Sequence, residues 1–410
     1  MRWRARVPVR LVVLLGASVA LGPLLVDFYL PALPQMTADL RTTESMLQLT
    51  LTAAVAGSAI GQLLAGPISD AVGRRLPLLV GIIGFVTTSV LCALAPTVEV
   101  LIGARLLQAI SAAAGTVVAR AVLRDLVTGR ELARLLSVLV FVSGMAPIVA
   151  PVIGGQLLRV GGWRTLFVVL AAFGTVLLVV LLVALPESLP PDRRQRGGVP
   201  KALRAYVGLL VDPVFVGYAL AGGFAFGALF GYISGSSFVF EGVFGLSPQQ
   251  FSLLFAVNSL GLMLAAQTNG RLVRRLVEPR RMLTMGQLAA VASAGVLVAA
   301  AATSFAGLYG VVVPLFFVVA TFGLVTPNAQ ALALARYPES AGTAAAVLGA
   351  AQFAIASFTG PMATAVAVTS ALPMAVVVAG SMVLGLAARV LLTRAEGGRA
   401  TEPAAHRSEG

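Results

Sequence analysis

Leu11-Val-Val-Leu-Leu-Gly16-Ala-Ser-Val-Ala-Leu-Gly22-Pro-Leu-Leu-Val-Asp27-Phe-Tyr-Leu-Pro31-Ala-Leu33 carries one charge, Asp27, in a run otherwise free of ionisable carboxylates and bases. About 20 apolar residues of helix cross the roughly 30 Å hydrocarbon core of a bilayer. The stretch therefore reads as a membrane-spanning helix. Eleven similar runs follow, near 46–66, 76–95, 98–120, 134–157, 164–185, 213–238, 249–270, 282–304, 307–330, 341–364 and 371–392. The 410-residue chain is 58% hydrophobic and 11% charged, where soluble domains carry roughly 25% charged residues. Its mean hydropathy is +0.96. The expectation is an all-α membrane protein of twelve transmembrane helices.

The rest of the composition narrows the function. The lone Cys92 rules out an internal disulfide, and the lone His406 lies in the polar tail. Zinc sites and catalytic triads need more of these residues than the chain has. Lys201 is the only lysine, and the run from Gln195 to Lys201 does not match a phosphate-binding loop. The expectation is a non-enzyme with no cofactor, driven by an ion gradient.

Charge placement gives an orientation. Of 29 basic residues, 25 fall at the amino-terminal side of the alternating loops, among them Arg2, Arg74, Arg120, Arg193, Arg271 and Arg336. Arg41, Arg159 and Arg164 fall opposite, and Arg105 lies inside a span. Cytoplasmic loops are the ones enriched in Lys and Arg, so both termini are placed in the cytoplasm. This pattern also accounts for the net charge of +13 without nucleic acid. The arginines before the first span resemble a signal peptide, but the apolar run continues past signal length. The longest polar interruption separates two six-helix halves. This gives an amino-terminal half at 1–186, a cytoplasmic linker at 187–212, a carboxy-terminal half at 213–392 and a disordered cytoplasmic tail at 393–410. Arg74-Arg75 follows the second span and Arg274-Arg275 the eighth, an echo typical of transporters built from internal repeats.

Four motifs carry the mechanism. Gly66-Pro-Ile-Ser-Asp70-Ala-Val-Gly73-Arg74-Arg75 follows the second span. Its glycines suit a tight turn, and Asp70 suits a helix amino terminus or an arginine partner. Arg105-Leu-Leu-Gln108-Ala109 begins a small-residue stretch in the fourth span. Gly144-Met-Ala-Pro147-Ile-Val-Ala-Pro151-Val-Ile-Gly154-Gly155 places two prolines and close-packing glycines in the fifth. Gly22-Pro-Leu-Leu-Val-Asp27-Phe-Tyr29-Leu-Pro31-Ala-Leu-Pro34 ends the first. Together these resemble the signature loop, fourth-span motif and antiporter motif of the major facilitator superfamily. The last string resembles the Bcr/CflA drug-resistance (chloramphenicol/bicyclomycin) proton antiporters of that superfamily. Arg124-Asp125, Gly162-Trp163-Arg164 and Pro186-Glu187-Ser188 add to the likeness, which is denser in the first half.

Ionisable groups inside a membrane are costly and usually functional. Counting at 1.5 Å per residue puts Asp27 roughly 9 Å and Arg105 roughly 10 Å below the outer ends of their spans. The sequence thus gives equal depth, and the family fold supplies lateral proximity. Burial raises an aspartate's pKa and a nearby cation lowers it. Asp27 and Arg105 are therefore the candidates for proton coupling and substrate contact, with a fixed structural ion pair as the alternative. Tyr29, Gln108, Phe226, Phe230, Tyr232, Asn258, Asn328 and Gln352 are cavity candidates that serve equally as contacts between helices. Phe224 belongs with the aromatic wall. Gly66, Asp70, Gly73, Arg74, Arg75, Arg120 and Arg124 form a candidate gating loop, Arg120 alternatively snorkelling.

The resemblance implies proton-coupled multidrug efflux by alternating access. The partners would be protons, a small amphiphilic substrate and the lipid bilayer, with a monomer in the bacterial inner membrane. Export of an endogenous metabolite or amino-acid-like compound, or a non-transporting membrane sensor, are the alternatives.

Overall fold

The computed structural model describes residues 8–127, 129–194, 198–337, 340–363 and 369–394. The expected disordered tail beyond 394, with His406, lies outside these residues, as do Arg2, Arg4, Arg6, Arg196, Arg399 and Arg407. The side chains of Arg130, Arg134 and Lys201 are likewise outside the description.

Among the described residues every regular element is a helix. Helix α1 covers Val9–Asp27 and α2 Leu33–Asp39, with a 3₁₀ turn at Leu30–Ala32 between them. Then come α3 Glu44–Val72, α4 Arg75–Leu94, α5 Val98–Leu126, α6 Gly129–Leu157 and α7 Trp163–Ala184. Helix α8 spans Gly198–Leu210 and α9 Pro213–Ser237, the latter continuing as a π-helical turn over Phe238–Val243. The last five are α10 Pro248–Arg275, α11 Pro279–Thr303, α12 Gly307–Ala335, α13 Ala341–Ala363 and α14 Leu372–Leu392. Among the described residues, eleven helices are long and apolar enough to cross a membrane. The run expected at 134–157 coincides with α6, whose apolar described portion is Gly144–Leu157.

Several ends depart from expectation. The first span stops at Asp27 instead of running on to Leu33. Pro31 and Pro34 lack the N–H that an unbroken helix would use, and the chain re-forms as two short pieces. Gly66 lies inside α3, so the turn falls later, at Gly73, whose φ of +107° suits glycine. The linker expected to be polar interruption contains α8.

Helix starts follow local chemistry. Thr43 accepts the Met46 N–H at the start of α3, and Asp212 accepts the Val214 N–H at the start of α9. Ser247 and Gln250 form a reciprocal capping box on α10, with Pro248 at its first position. Small residues set the closest packing. A methyl at Gly61 would meet Ala113 Cβ at 2.6 Å, and one at Gly81 would meet Ala114 Cβ at 2.6 Å. Without a hydrophobic drive between helices in lipid, such close backbone approach is what holds them.

Helices α1 and α3–α7 pack largely among themselves, as do α9–α14; the two groups meet along α3 with α13 and α6 with α10. The outward faces carry large apolar side chains, including Val90, Val168, Leu264 and Phe317, as a lipid-facing surface requires.

Candidate functional site

The residues that seal one end of the bundle sit where α1 breaks. Leu30, Ala32, Leu33 and Met36 are fully buried there. Asp27 is the last residue of α1 and is 4% exposed. It has no hydrogen-bond or ion-pair partner among the described residues.

Arg105 reaches the same place from α5 but does not pair with Asp27. Its Nη2 donates to the Leu25 carbonyl at 2.5 Å and its Nη1 to Gln108 Oε1 at 2.5 Å. Its guanidinium lies over the Tyr29 ring at 4.4 Å and near the Phe167 ring at 5.7 Å. Gln108 passes the contact on, donating to Ser89 Oγ of α4 at 2.6 Å. Tyr29 is anchored in turn by Thr50, hydroxyl to hydroxyl at 3.1 Å. Arg105 thus meets the end of α1 that carries Asp27, and among the described residues the two form no ion pair. Arg105 acts on the end of α1 through a backbone carbonyl two residues before Asp27. A fork of donors with a planar face suits that double role.

Beside Asp27 lie groups from the other set of helices. Tyr232 of α9 stacks on Phe255 of α10 at 5.5 Å between centroids, and its hydroxyl accepts from Asn258 Nδ2 at 3.0 Å. Gln48 of α3 donates to the Ser234 carbonyl of α9, crossing between the two sets. The glycine-proline motif of α6 supports the same end. A methyl at Gly154 would run into the Phe28 carbonyl, so its absence lets α6 press against the residue after Asp27. The Gly155 carbonyl accepts from Gln249 Nε2 at 2.8 Å and the Pro147 carbonyl from Ser259 Oγ at 3.4 Å, both on α10. Pro151 lies within the same helix, and nothing approaches Gly144 within 4 Å of a built Cβ.

Other expected residues lie elsewhere. Phe226 joins Phe353 (5.2 Å), Phe322 (6.0 Å) and Phe230 (6.3 Å) in an aromatic group between α9, α12 and α13. Phe224 packs against Gly385 of α14 and is not part of it. Gln352 approaches Gly222 on the inner part of α9. Asn328 donates to Asn269 Oδ1 at 2.7 Å, near the far end of α12, away from Asp27. It lines an open cavity of about 590 Å³ with Gln267, Arg271, Arg274 and Pro327.

The expected gating loop forms a compact network at that far end. Arg74 donates from Nη1 to Asp70 at 2.5 Å and from Nε to Asp125 at 2.8 Å. Both acids and the intervening hydrogen bonds favour its charged form, although its own burial opposes this. Glu187 accepts the backbone N–H of Arg74 at 2.8 Å and of Arg75 at 3.2 Å, capping the start of α4. Its partial burial alone would raise its pKa. Hydrogen bonds from Leu189, Arg74 and Arg75, with the Arg194 charge, together hold the carboxyl below the usual range. Arg75 donates to the Leu182 carbonyl. Arg120 and Arg124 are exposed and stand outside this network, Arg124 lying against Gly342 of α13.

The sequence reading missed Gln48, Thr50, Ser89, Ser234 and Glu241 as parts of the sealed end. A lone carboxamide in an apolar run, as at Gln48, was the available signal. Among the described residues, no group of three or more His, Cys, Asp and Glu is placed to hold a metal ion.

Known proteins resemble this chain in sequence and in fold. The sequence pattern of the Major Facilitator Superfamily matches residues 15–361. An "Uncharacterized MFS-type transporter YdgK" from Bacillus subtilis (strain 168) is 37% identical over 384 residues, covering 93% of this chain and 94% of that protein. A "Bicyclomycin resistance protein homolog" from Haemophilus influenzae is 30% identical over 379 residues, covering 92% and 95%. Among solved structures, a D-xylose-proton symporter superposes with a TM-score of 0.73 at 17% identity, covering 94% of this chain and 96% of the other.

Proposed function

The chain belongs to the Major Facilitator Superfamily, and we propose that it is a proton-coupled antiporter exporting small amphiphilic drugs by alternating access. It is a multi-pass membrane transporter and not an enzyme. On this reading twelve helices cross the bacterial inner membrane as two six-helix halves, 1–186 and 213–392, joined by a cytoplasmic linker. Both termini face the cytoplasm, the end sealed by α2 faces the periplasm, and a monomer does the work. No cofactor is needed beyond the proton gradient.

One observation carries the proposal: Asp27 is buried at the sealed end with no ion-pair partner among the described residues. Uncompensated buried charge is expensive, so taking up a proton and closing the outer end go together. When the bundle opens outward, water reaches Asp27 and delivers a proton. When it opens inward, the proton leaves and an amphiphile takes its place against Tyr232, Asn258 and the aromatic group around Phe226. Arg105 holds the broken end of α1 so that Asp27 meets both states in the same position. The likeness to a protein named for bicyclomycin resistance supports drug as the cargo.

The test uses everted membrane vesicles with an imposed proton gradient and radiolabelled bicyclomycin as probe. Wild type should accumulate the drug. Asp27→Asn should lose gradient-driven accumulation while still exchanging drug across the membrane without a gradient. Gradient-driven accumulation by Asp27→Asn at the wild-type rate would remove Asp27 from the coupling step.

A further inference from the structure

Eight buried side-chain atoms lack a hydrogen-bond partner among the described residues, and three of them lie on one stretch: Ser234 Oγ, Ser237 Oγ and Glu241 Oε1. Buried polar atoms are rarely left unsatisfied, and buried water is the usual partner where protein offers none. Positions 234, 237 and 241 are spaced three and four apart, which puts side chains on one side of a helix. The last of them sits in the π-helical turn, a form often found at functional positions.

The stretch runs alongside the broken end of α1. The 3₁₀ turn at Leu30–Ala32 packs on α9, and α2 packs on the π-turn. Gln48 donates to the Ser234 carbonyl, and its own Oε1 is also without a partner. Glu241 is the only charged residue between 213 and 243, and it is partly buried, with Oε1 shielded from solvent. Among the described residues no cation forms an ion pair with it. Helix α2 carries one charge, Asp39, whose Oδ2 accepts from Trp163 Nε1 at 3.0 Å. Helix α10 carries none before Arg271. An unpaired acid at the mouth of a line of unpartnered oxygens serves no packing purpose in an apolar span.

We propose that this stretch is a water-filled proton route from the outer surface to Asp27, with Glu241 taking the proton at its mouth. The proposal rests on Asp27 as the coupling carboxylate. A proton from outer water adds to the Glu241 carboxylate. Glu241 hands it to water held by Ser237 and Ser234, the Asp27 carboxylate accepts it, and Glu241 is left ionised for the next. From 234 to 241 is roughly 10 Å of helix rise, which about three waters bridge at hydrogen-bond spacings of about 2.8 Å.

Two measurements test the route. In everted vesicles, Glu241→Gln and Ser237→Val should each slow proton-driven bicyclomycin accumulation about ten-fold and shift its dependence on luminal pH. Gradient-free exchange needs no proton path and should persist, and Ser237→Thr, which restores a hydroxyl, should recover the driven rate. Driven accumulation and a pH profile equal to wild type in both variants would overturn the proposal. Radiolytic hydroxyl labelling, which marks side chains beside bound water, needs no substrate. It should modify buried Phe238, next to Ser237, well above buried Phe85 in α4. Equal inertness of the two would overturn the water route even if transport is proton-driven. Absence of any driven transport in wild type, with Phe238 labelled, would instead count against Asp27 coupling and leave the water route standing.

Discussion

Replacing Arg105 by lysine keeps the charge but removes the fork, and its effect follows from the contacts. The guanidinium reaches two acceptors at once, Gln108 Oε1 and the Leu25 carbonyl, while covering the Tyr29 ring. A compact ammonium meets one of those acceptors and leaves the other buried. A hydrogen bond to a charged group contributes about 1.5–3 kcal/mol, and cation–π contact about 0.5–2 kcal/mol, part of which lysine retains. The expected cost is about 3 kcal/mol, and each 1.4 kcal/mol is about tenfold in an equilibrium. Opening of this region should therefore become roughly 100-fold more frequent. The chain supplies its own reporter. Cys92 is the only cysteine, fully buried on α4 three residues after Ser89, which accepts the Gln108 amide. A maleimide dye reacts with it only when the region opens, and with fast opening the labelling rate tracks the open population. Arg105→Lys in detergent should label Cys92 about 100-fold faster than wild type, and Arg105→Met at least as fast. A labelling rate indistinguishable from wild type would refute the idea that the fork fastens α1 to α5.

Three further outcomes are expected. Gly154→Ala should disfavour the sealed arrangement by about 1–3 kcal/mol, seen as a larger separated fraction in spin-label distances across the α2 end; an unchanged distance distribution counts against the close approach to Phe28. Glu187→Gln should weaken the start of α4 by about 0.5–2 kcal/mol, as loss of a helix cap does, lowering the melting temperature. Because the native carboxyl titrates below the ordinary value of 4.5, its contribution is fully present above that pH and fades as pH falls through the lower native value. The variant should therefore flatten the acid side of the stability profile, and parallel profiles would argue against the cap. Tyr232→Phe should leave both ends of the buried Asn258 amide without partners and cost about 1–3 kcal/mol in thermal unfolding; wild-type stability would mean the hydroxyl is idle.

The helices were legible because bilayer thickness is a strict ruler: each expected run overlaps a helix, and among the described residues eleven helices are long and apolar enough to cross a membrane. Their ends were less so. Helices α3 and α5 run several residues past their expected runs into sequence that carries Asp70, Arg124 and Asp125, because backbone hydrogen bonds continue there. Position along α1 and α5 could be counted, which brought Asp27 and Arg105 forward as candidates. Rotation about the helix axis could not, and the acceptor Arg105 uses is a backbone carbonyl that no side-chain pattern advertises. Asn328 and Asn258 looked equivalent as lone amides in apolar runs, yet they lie near opposite ends of the bundle. Glu187 was noticed only as part of a motif. Its role depends on folding back onto Arg74, 113 positions away.

Helix α8 changes what the connection between the two helix sets does. It is docked and not slack: Tyr206 and Leu209 are buried, the Tyr206 hydroxyl donates to the Leu63 carbonyl, and the helix touches α3, α9 and α13. A connector seated on both sides behaves as a fulcrum. Any swing that parts α3 from α13 at this end must shear it, so its grip helps set how far the bundle can travel and how readily it returns.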